Sequence, residues 1–550
     1  MRHPWWLVLC LAAPLLAQPA GERRLTVAEY RDKMLGGWLG QMIGVAWGAP
    51  TEFHWQDQIM PADRYPSWSP GLINGAFDQD DLYVEMTFLG TLERGGLNVS
   101  IREAGIDFAN SEYPLWCANR AGRNNLREGI APPDSSHPRF NACPNDIDYQ
   151  IEADYSGLIA PGLPQVPIDL GNTFGRLMNY GDGLYAGQFV GACYAAAFFE
   201  SDRRRIVESG LEAIPAGSQY AEMVRDLLAW SAAEPDWQAC WRTIQAKYRE
   251  DPVYQQASNG GIDAKINGAY VLLGLLYGDG ELEPTIEISC RAGQDSDCNP
   301  STAAGILATA RGASWLSDEY VGELSQTAVF SHTPYDMERL LAVCEQLARD
   351  AVVASGGRIE GGAGAEVLVI PAQTPQPNEL ELSWAPGPIA NTFFRPSERR
   401  RITQPGPTAM MAAAVEKLAP GWSVAKLGPD MDPGWREEWR GRQGVLLTHP
   451  QDRGTAAVLS RELTLPAGRP RLALSISHHP EGDWDLVVRI NGEEIARQLV
   501  GPTTSTDGWL ELSYDLSRWA GQAVRLELLN MANGWTWEAA YWHRLEIVTE

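Results

Sequence analysis

The spacing of apolar residues changes once along this 550-residue chain, and that change restricts the fold to at least two domains. Up to about Ala354, apolar residues recur at helical spacing, as in Met34, Trp38 and Met42. Beyond a Gly- and Pro-rich passage, the pattern alternates as in half-buried strands. The sequence therefore predicts a multidomain chain, with an all-α domain over residues 25–355, a linker over 356–380, and a β-rich region over 381–550 that ends in a β-sandwich of the jelly-roll type.

Capping and turn signals give bounds for the predicted elements. The capping box Thr26-Val-Ala-Glu29 predicts a helix start, and Gly48-Ala-Pro50 predicts the end of that helix. Another helix begins within residues 78–81 and runs toward Gly95. Further helices are predicted over residues 185–200, 220–231, 266–277, 300–316 and 335–352, with functional loops between them, notably 113–148. Strands are predicted over residues 472–476, 484–490, 494–500, 509–514, 524–529 and 541–548.

The N-terminus has the anatomy of a secretory signal peptide. Arg2 precedes an apolar run over residues 5–16, and small residues follow before the charged Glu22. The run is too short for a stable membrane anchor, so we expect residues 1–20 to be removed and the protein to be periplasmic or extracellular, with no membrane partner. Cleavage after Ala17 or Ala20 fits the pattern.

Charge and cysteine usage exclude some classes of function. The formal net charge of −26 argues against a nucleic-acid partner, because phosphate binding relies on clustered Lys and Arg. Of the 8 cysteines, Cys10 lies in the predicted signal peptide. The others show no C-x-x-C spacing, which disfavours a zinc site, and the sequence does not assign disulfide pairs. They are Cys117, Cys143, Cys193, Cys240, Cys290, Cys298 and Cys344.

Two acidic clusters precede predicted helices. Asp295 and Asp297 lie one residue apart in a glycine-led turn, and Asp80 and Asp81 lie at the start of an earlier helix. Acids at such starts often only complement the helix dipole. If folding brings the two starts together, however, their carboxylates supply the oxygen ligands that Mg²⁺ prefers. The pattern therefore favours a metal-assisted enzyme.

Three sequence blocks together resemble the ADP-ribosylglycohydrolase family. They are Gly36-Gly-Trp-Leu-Gly-Gln-Met-Ile-Gly44 followed by Gly48-Ala-Pro-Thr-Glu52, then Asp80-Asp81, then Gly293-Gln-Asp-Ser-Asp-Cys-Asn299 with Ala303-Ala-Gly305 and Gly312-Ala313. The resemblance does not extend beyond about Ala354. It implies an all-α fold with a magnesium site, often binuclear, and cleavage of the glycosidic bond at C1 of a ribose.

The resemblance also implies roles for particular residues. Asp80, Asp81, Asp295 and Asp297 are the implied metal ligands, and Glu52 is the implied acid beside them. Glu52, Asp81 and Asp295 are our candidate catalytic residues, because one of these carboxylates must orient or deprotonate the attacking water.

The chain departs from the family pattern at several positions. Val45 replaces an Asp, Gln79 and Leu82 replace hydroxyl residues of the first acidic motif, and Cys298 replaces one in the second. A thiol is a soft ligand that is ill-suited to Mg²⁺, whereas the amide oxygen of Gln79 would compensate. We therefore expect one firmly bound Mg²⁺ or Mn²⁺, count Gln79 and Cys298 as candidate ligands, and leave a second ion open.

A further acidic stretch and a glycine-rich stretch supply candidate substrate ligands. We take Asp148, Asn172 and Asp182 as these candidates. For the acids over residues 146–154, however, the pattern favours solvated loop charges over the lining of a pocket. Asn172 and Asp182 stand among glycines over residues 171–187.

The distal region carries many tryptophans, and Asp515-Leu-Ser-Arg-Trp519 after a predicted strand is similar to galactose-binding-like jelly rolls. Packing is the favoured role of these rings, and sugar stacking is the alternative. The sequence predicts an exported Mg²⁺-dependent hydrolase of an ADP-ribosyl or related ribosyl bond, with an ADP-ribosyl, nucleoside or glycan substrate. The alternatives are a secreted glycoside hydrolase acting on a pentose-containing glycan and a catalytically impaired sugar- or nucleotide-binding protein. The sequence does not indicate an oligomeric state.

Overall fold

The computed structural model describes residues 21–362, 364–428 and 430–549, and the predicted signal peptide lies outside them. The chain divides into two compact units, the first ending at Gln404 and the second beginning at Pro405. Within the described ranges, no helix combines the length and apolar character needed to cross a bilayer.

The first unit consists mainly of α-helices around one large hydrophobic core, which confirms the predicted helical domain. Its helices are α1 (Val27–Gly48), α2 (Asp80–Gly95), α3 (Ile101–Ala109), α4 (Ala118–Glu128), α5 (Asp148–Ile151), α6 (Asp154–Leu158), α7 (Gln165–Thr173), α8 (Asp182–Ala197), α9 (Arg203–Leu211), α10 (Gln219–Ala233), α11 (Trp237–Ile244), α12 (Ala264–Tyr277), α13 (Leu282–Arg291), α14 (Cys298–Arg311), α15 (Asp318–Val321), α16 (Met337–Ala354) and α17 (Pro396–Arg399).

Helix α1 begins at the predicted capping box and packs directly on α14. The Thr26 hydroxyl accepts a hydrogen bond from the Glu29 amide at 3.1 Å, and the Glu29 carboxylate accepts one from the Thr26 amide at 3.0 Å. A side chain at Gly40 would meet the carbonyl oxygen of Ala304 at 2.5 Å, so the two helix backbones are in contact. Such contacts repeat every four residues, pairing Gly36, Gly40, Gly44 and Gly48 with Ala308, Ala304, Pro300 and Ser296. The helices are therefore antiparallel, and the end of α1 lies at the start of α14.

The prediction of a loop over residues 113–148 is partly wrong, because this segment contains α4. Cys117 precedes this helix and Gly129 ends it in a left-handed conformation with φ 98°. Its sequence is rich in Arg and Asn, with few apolar residues, so its helical periodicity is weak. Helix α2 begins at Asp80, inside the predicted range, after a 3₁₀ segment over Pro70–Asp78.

Residues 356–404 form part of the first unit, in contrast to the linker predicted over 356–380. A three-stranded sheet joins β1 (Glu22–Thr26), β2 (Arg358–Glu360) and β3 (Val367–Pro371), with β3 in the centre. Farther along, the Asp134 carboxylate accepts hydrogen bonds from the Ala390 and Thr392 amides at 2.8 and 2.7 Å. Gly and Pro set the shape of this segment, but its docking depends on distant partners that composition does not reveal.

The second unit is a β-sandwich preceded by helix α18 (Pro407–Leu418). Its strands are β4 (Ser423–Ala425), β5 (Gly434–Trp439), β6 (Arg442–Thr448), β7 (Ala457–Thr464), β8 (Pro470–His478), β9 (Trp484–Ile490), β10 (Glu493–Val500), β11 (Trp509–Asp515), β12 (Ala523–Met531) and β13 (Ala540–Thr549). One antiparallel sheet has the order β10-β9-β12-β7-β4, and the other has the order β11-β8-β13-β6-β5.

The core between the two sheets confirms the predicted sandwich. Ile476 of β8 and Trp542 of β13 share one buried cluster with Val488 of β9 and Leu526 of β12. The rings of Trp484 and Trp542 lie 5.2 Å apart inside it, as the packing role predicts. The six predicted strands all form. Strands β4–β7 were not predicted, because charged residues such as those of β5 interrupt the alternation.

Candidate metal and active site

The two acidic motifs meet in the folded chain. Ligand atoms of Asp80, Asp81 and Cys298 lie within 4.8 Å of one another, and so do those of Asp295, Asp297 and Cys298. The Cys298 thiol belongs to both groups and therefore marks the point where the motifs converge. We call Asp80, Asp81, Asp295 and Asp297 the acidic centre.

The contact between α1 and α14 explains why Glu52 lies beside the acidic centre. Residues 49–52 continue from the end of α1, where the Thr51 and Ser296 hydroxyls are 2.8 Å apart. The Phe53 amide then donates to the Gln294 carbonyl at 3.0 Å. Gln294 has φ 58°, so the turn that carries Asp295 is held in a left-handed conformation. Glu52 is thus fixed from both sides by the turn that bears the metal-ligand candidates.

Burial and mutual repulsion raise the pKa values of these acids. Burial is the largest cause for Asp81 and Asp297, and the neighbouring carboxylates of the acidic centre raise the pKa of each further. Burial also raises the pKa values of Asp295 and Glu52. The charge of Asp80 raises both values further, and the charge of Glu52 adds to the rise at Asp295. Such a concentration of acids in one buried place needs protons or a cation to be stable.

The donor set fits a hard divalent cation. Among the described residues, one oxygen of Asp295 and one of Asp297 are buried without a hydrogen-bond partner. Unpartnered carboxylate oxygens are the ligands that Mg²⁺ and Mn²⁺ take. Cys298 fits less well, because burial and the surrounding carboxylates raise its thiol pKa and keep the thiol neutral. Gln79 occupies the position before α2, where its side chain makes no capping hydrogen bond.

Val45 and Leu82, which depart from the family pattern, are core residues. Both side chains are fully buried in the main hydrophobic cluster. Neither offers an oxygen, so any ligand in their place would have to come from the remaining carboxylates or from water. The centre is accordingly poorer in oxygen ligands than the family pattern.

Trp116 and Asp148 border the acidic centre. The Trp116 indole donates a hydrogen bond to Asp80, although the residue is 55% exposed. Asp148 is buried, and its carboxylate accepts from the Ala118 and Asn119 amides at 3.3 and 3.1 Å. Burial raises the Asp148 pKa to about 6, with the charge of Asp80 among the smaller causes. Asp148 is thus placed near the centre, where a substrate ligand is expected.

The other two candidate substrate ligands have partners elsewhere. Asn172 exchanges hydrogen bonds with Asn378 at 2.9 Å and accepts one from Arg176 at 3.1 Å. Asp182 accepts from the Tyr220 amide at 3.0 Å. These contacts link α7 and α8 to their neighbours, and the substrate roles of the two residues stay predictions.

The expectation of solvated loop charges over residues 146–154 is wrong. Asp146, Asp148, Glu152 and Asp154 are all buried. Short helices α5 and α6 pack this stretch into the core, and their four or five residues are too few to show a period. Asp154 accepts a hydrogen bond from Thr302 of α14 at 3.4 Å, so the stretch extends to the same helix as Cys298.

Glu85 was missed by the sequence analysis. It is fully buried, its carboxylate accepts from the Tyr155 amide at 2.6 Å, and burial followed by the charge of Asp154 raises its pKa. A signal existed, because Glu85 follows Asp81 by four residues on α2 and therefore shares its helix face. Glu85, Glu152 and Asp154 extend the acidic centre inward.

A buried carboxylate centre in a helical domain is typical of metal-assisted hydrolases. The sequence matches the ADP-ribosylglycohydrolase family over residues 26–355, more than half of the chain. The chain belongs to this family, whose activity is of the glycoside-hydrolase type. No curated protein matches the chain.

Solved structures are similar to parts of the chain. An ADP-ribosylglycohydrolase-related protein complex has 15% identity and a TM-score of 0.37, with 59% of this chain and 100% of that chain covered. The CBM22-1 xylan-binding domain from Paenibacillus barcinonensis Xyn10C has 17% identity and a TM-score of 0.18, over 24% of this chain and 88% of that one. TmCBM61 in complex with beta-1,4-galactotriose has 15% identity and a TM-score of 0.19, with 24% of this chain and 92% of that chain covered.

Proposed function

We propose that the protein is an exported Mg²⁺-dependent hydrolase that cleaves an ADP-ribosyl or related ribosyl glycosidic bond. The observation that carries the proposal is the convergence of Asp80 and Asp81 with Asp295 and Asp297, beside Glu52. Family membership supplies the type of reaction, and the acidic centre supplies a binding place for the cation.

The acidic centre would hold Mg²⁺ or Mn²⁺ through its carboxylates. When bound, the ion supplies positive charge that orients the ribose hydroxyls and polarises the anomeric centre. The surrounding carboxylates, whose pKa values burial raises, would be ionised more readily with a cation among them. Metal binding and deprotonation of the centre are therefore linked.

Glu52 is assigned as the group that takes a proton from the attacking water. Its side chain is open to water and substrate on one side, while the protein atoms on the other side desolvate it and, with the charge of Asp80, raise its pKa. A raised pKa makes a carboxylate a better base near neutral pH. Asp295 and Asp81 are the alternative bases within the centre, and Asp148 is assigned to hold the substrate.

Hydrolysis assays on the purified protein test this assignment. ADP-ribosyl-arginine, ADP-ribosyl-serine, nucleosides and aryl pentosides are compared with Mg²⁺, with Mn²⁺ and with EDTA. We expect turnover of an ADP-ribosyl or ribosyl substrate that requires the cation. Equal turnover in EDTA would contradict the metal-dependent assignment. N-terminal sequencing of the protein from a periplasmic fraction tests export, with cleavage after Ala17 or Ala20 expected.

A secreted glycoside hydrolase acting on a pentose-containing glycan is the second candidate. It is favoured by one feature of the β-sandwich, where Trp537 is 39% exposed and its ring stacks on His479 with ring centroids 4.4 Å apart. Aromatic faces of this kind bind sugar rings. Turnover of aryl pentosides alone, together with glycan binding that a Trp537→Ala variant loses, would favour this candidate.

A catalytically impaired binding protein is the third candidate, and the buried thiol at the convergence point favours it. Cys298 occupies a position where a hard oxygen ligand is expected, and its pKa is raised. Calorimetric titration separates this candidate from the enzymes. Binding of a nucleotide or sugar without any binding of Mg²⁺ or Mn²⁺, and without turnover, would identify it.

A further inference from the structure

A second group of metal-ligating side chains lies outside the acidic centre. Ligand atoms of Cys117, Cys143 and Asp146 lie within 4.8 Å of one another, although Cys117 is 26 residues before the loop that carries the other two. The Asn259 amide nitrogen reaches all of them, at 3.3 Å from Cys117 Sγ, 3.8 Å from Cys143 Sγ and 3.3 Å from an Asp146 oxygen. We call Cys117, Cys143 and Asp146 the thiol–carboxylate cluster.

The cluster contains a buried acid that forms no ion pair with any residue of the described ranges. Asp146 is fully buried, and within the described ranges its Oδ1 has no hydrogen-bond partner. Its other oxygen accepts a hydrogen bond from the neutral Asn259 amide. A carboxylate in this position is costly unless a cation or a proton joins it. Both neighbouring side chains are thiols, which are half-buried and not joined by a disulfide.

We propose that the thiol–carboxylate cluster binds a divalent cation of the Zn²⁺ type. Two thiolates and one carboxylate are a favourable donor set for Zn²⁺ and a poor one for Mg²⁺. With Zn–S bonds of about 2.3 Å and Zn–O bonds of about 2.0 Å, tetrahedral coordination places ligand atoms about 3.5–3.8 Å apart. The observed cluster, with ligand atoms within 4.8 Å of one another, allows this spacing. Water completes the coordination, because Asn259 presents its amide nitrogen, which donates hydrogen bonds and does not ligate a metal.

Such an ion would fix a turn that also borders the acidic centre. Cys117 follows Trp116, whose indole donates to Asp80, and it precedes the Ala118 and Asn119 amides that hold Asp148. The ion would tie this turn to the loop of Cys143 and Asp146. The site therefore acts as a positioning element for Trp116 and Asp148, and it holds a different class of metal from the acidic centre.

Metal analysis of the reduced, full-length protein tests the proposal. The protein is stripped of metal, offered Zn²⁺, desalted and analysed by inductively coupled plasma mass spectrometry. We expect about one Zn²⁺ per chain, and Co²⁺ substitution should give a thiolate-to-cobalt charge-transfer band. The Cys117→Ser/Cys143→Ser variant should lose both signals, whereas Asp297→Asn and the buried-thiol control Cys240→Ser should keep them.

Other outcomes overturn the proposal. One is a reduced wild-type protein that retains no Zn²⁺. Another is Zn²⁺ that the Asp297→Asn variant loses but the double Cys variant keeps. A native protein whose two thiols resist alkylation until reduction would show a disulfide instead and would also overturn it. If the double variant fails to fold, Asp146→Asn is used, which should weaken Zn²⁺ binding while the cobalt thiolate band remains. None of these readouts depends on hydrolysis, so a failure of the zinc proposal and a failure of the proposed hydrolase function can be told apart.

Discussion

Gly48 and Ser296 lie in direct backbone contact where α1 meets the start of α14. A Cβ added to Gly48 would overlap the Ser296 carbonyl oxygen and lie 2.5 Å from the Asp297 Cα atom. No flexible side chain is available to move aside, because both obstacles belong to the backbone of the turn that carries Asp295 and Asp297. The spacing of Glu52 from the acidic centre therefore depends on a glycine at position 48.

A Gly48→Ala variant should lose stability and metal affinity together. Overpacking of this kind costs about 1–3 kcal/mol, and the strain falls on the turn that carries Asp297. Denaturant unfolding and calorimetric Mg²⁺ titration measure the two effects. Gly75→Ala is the matched control, because its Cβ would meet nothing within 4 Å. Wild-type Mg²⁺ affinity in Gly48→Ala would show that the contact does not position the centre.

An Asp297→Asn variant should lose hydrolysis while it stays folded. The change removes a buried charge that the protein must otherwise neutralise, but it also removes one of the converging carboxylates. We expect kcat/KM to fall about 100-fold or more, which corresponds to about 3 kcal/mol of transition-state stabilisation. Steady-state kinetics and circular dichroism provide the measurements. The exposed Asp63→Asn should leave both unchanged, and near-normal turnover in Asp297→Asn would rule out its role.

Local signals were sufficient to predict much of the framework. The capping box at Thr26, the glycine blocks of α1 and the alternating apolar residues of β8–β13 each determine structure within a few residues. The convergence of the acidic motifs was inferred from resemblance, because sequence spacing alone does not bring Asp81 near Asp297. The repeated contacts of small residues between α1 and α14 supply the physical reason for it.

Burial of polar residues was the part that the sequence did not reveal. Asp146 and Asp154 lie in a stretch that is polar and rich in turns, and such stretches are usually solvated. Here their burial depends on α8, α12 and α14, which come from later in the chain. The meeting of Cys117 with Cys143 has the same origin, since no local motif links them.

The stability of the metal-free protein should fall as pH rises above about pH 4. Burial raises the pKa values of Asp81 and Asp297 above the ordinary 3.8, so the folded state keeps protons that the unfolded chain has released. Their contribution is fully present below the unfolded value and is lost as pH rises through the folded value. Bound Mg²⁺ stabilises the ionised carboxylates and opposes this trend.

Thermal unfolding in EDTA and in Mg²⁺ measures this linkage. The increase in Tm on adding Mg²⁺ should be larger at about pH 8 than at about pH 5.5, because fewer protons must be displaced. Asp297→Asn should reduce the increase at both pH values. A Mg²⁺ effect that is independent of pH would show that these carboxyls are not neutral in the metal-free protein.

A Cys298→Thr variant should bind Mg²⁺ more tightly than the wild type. The thiol lies within 4.8 Å of ligand atoms from both acidic motifs, and a hydroxyl in its place offers a hard oxygen where the neutral sulfur is a poor ligand. We expect about a tenfold gain in Mg²⁺ affinity, equivalent to about 1.4 kcal/mol, and a smaller gain for Mn²⁺. Calorimetry gives both constants, and Cys240→Ser, which changes a buried thiol outside the centre, should alter neither. Unchanged Mg²⁺ affinity in Cys298→Thr, with the fold intact, would place the cation on the carboxylates alone and away from position 298.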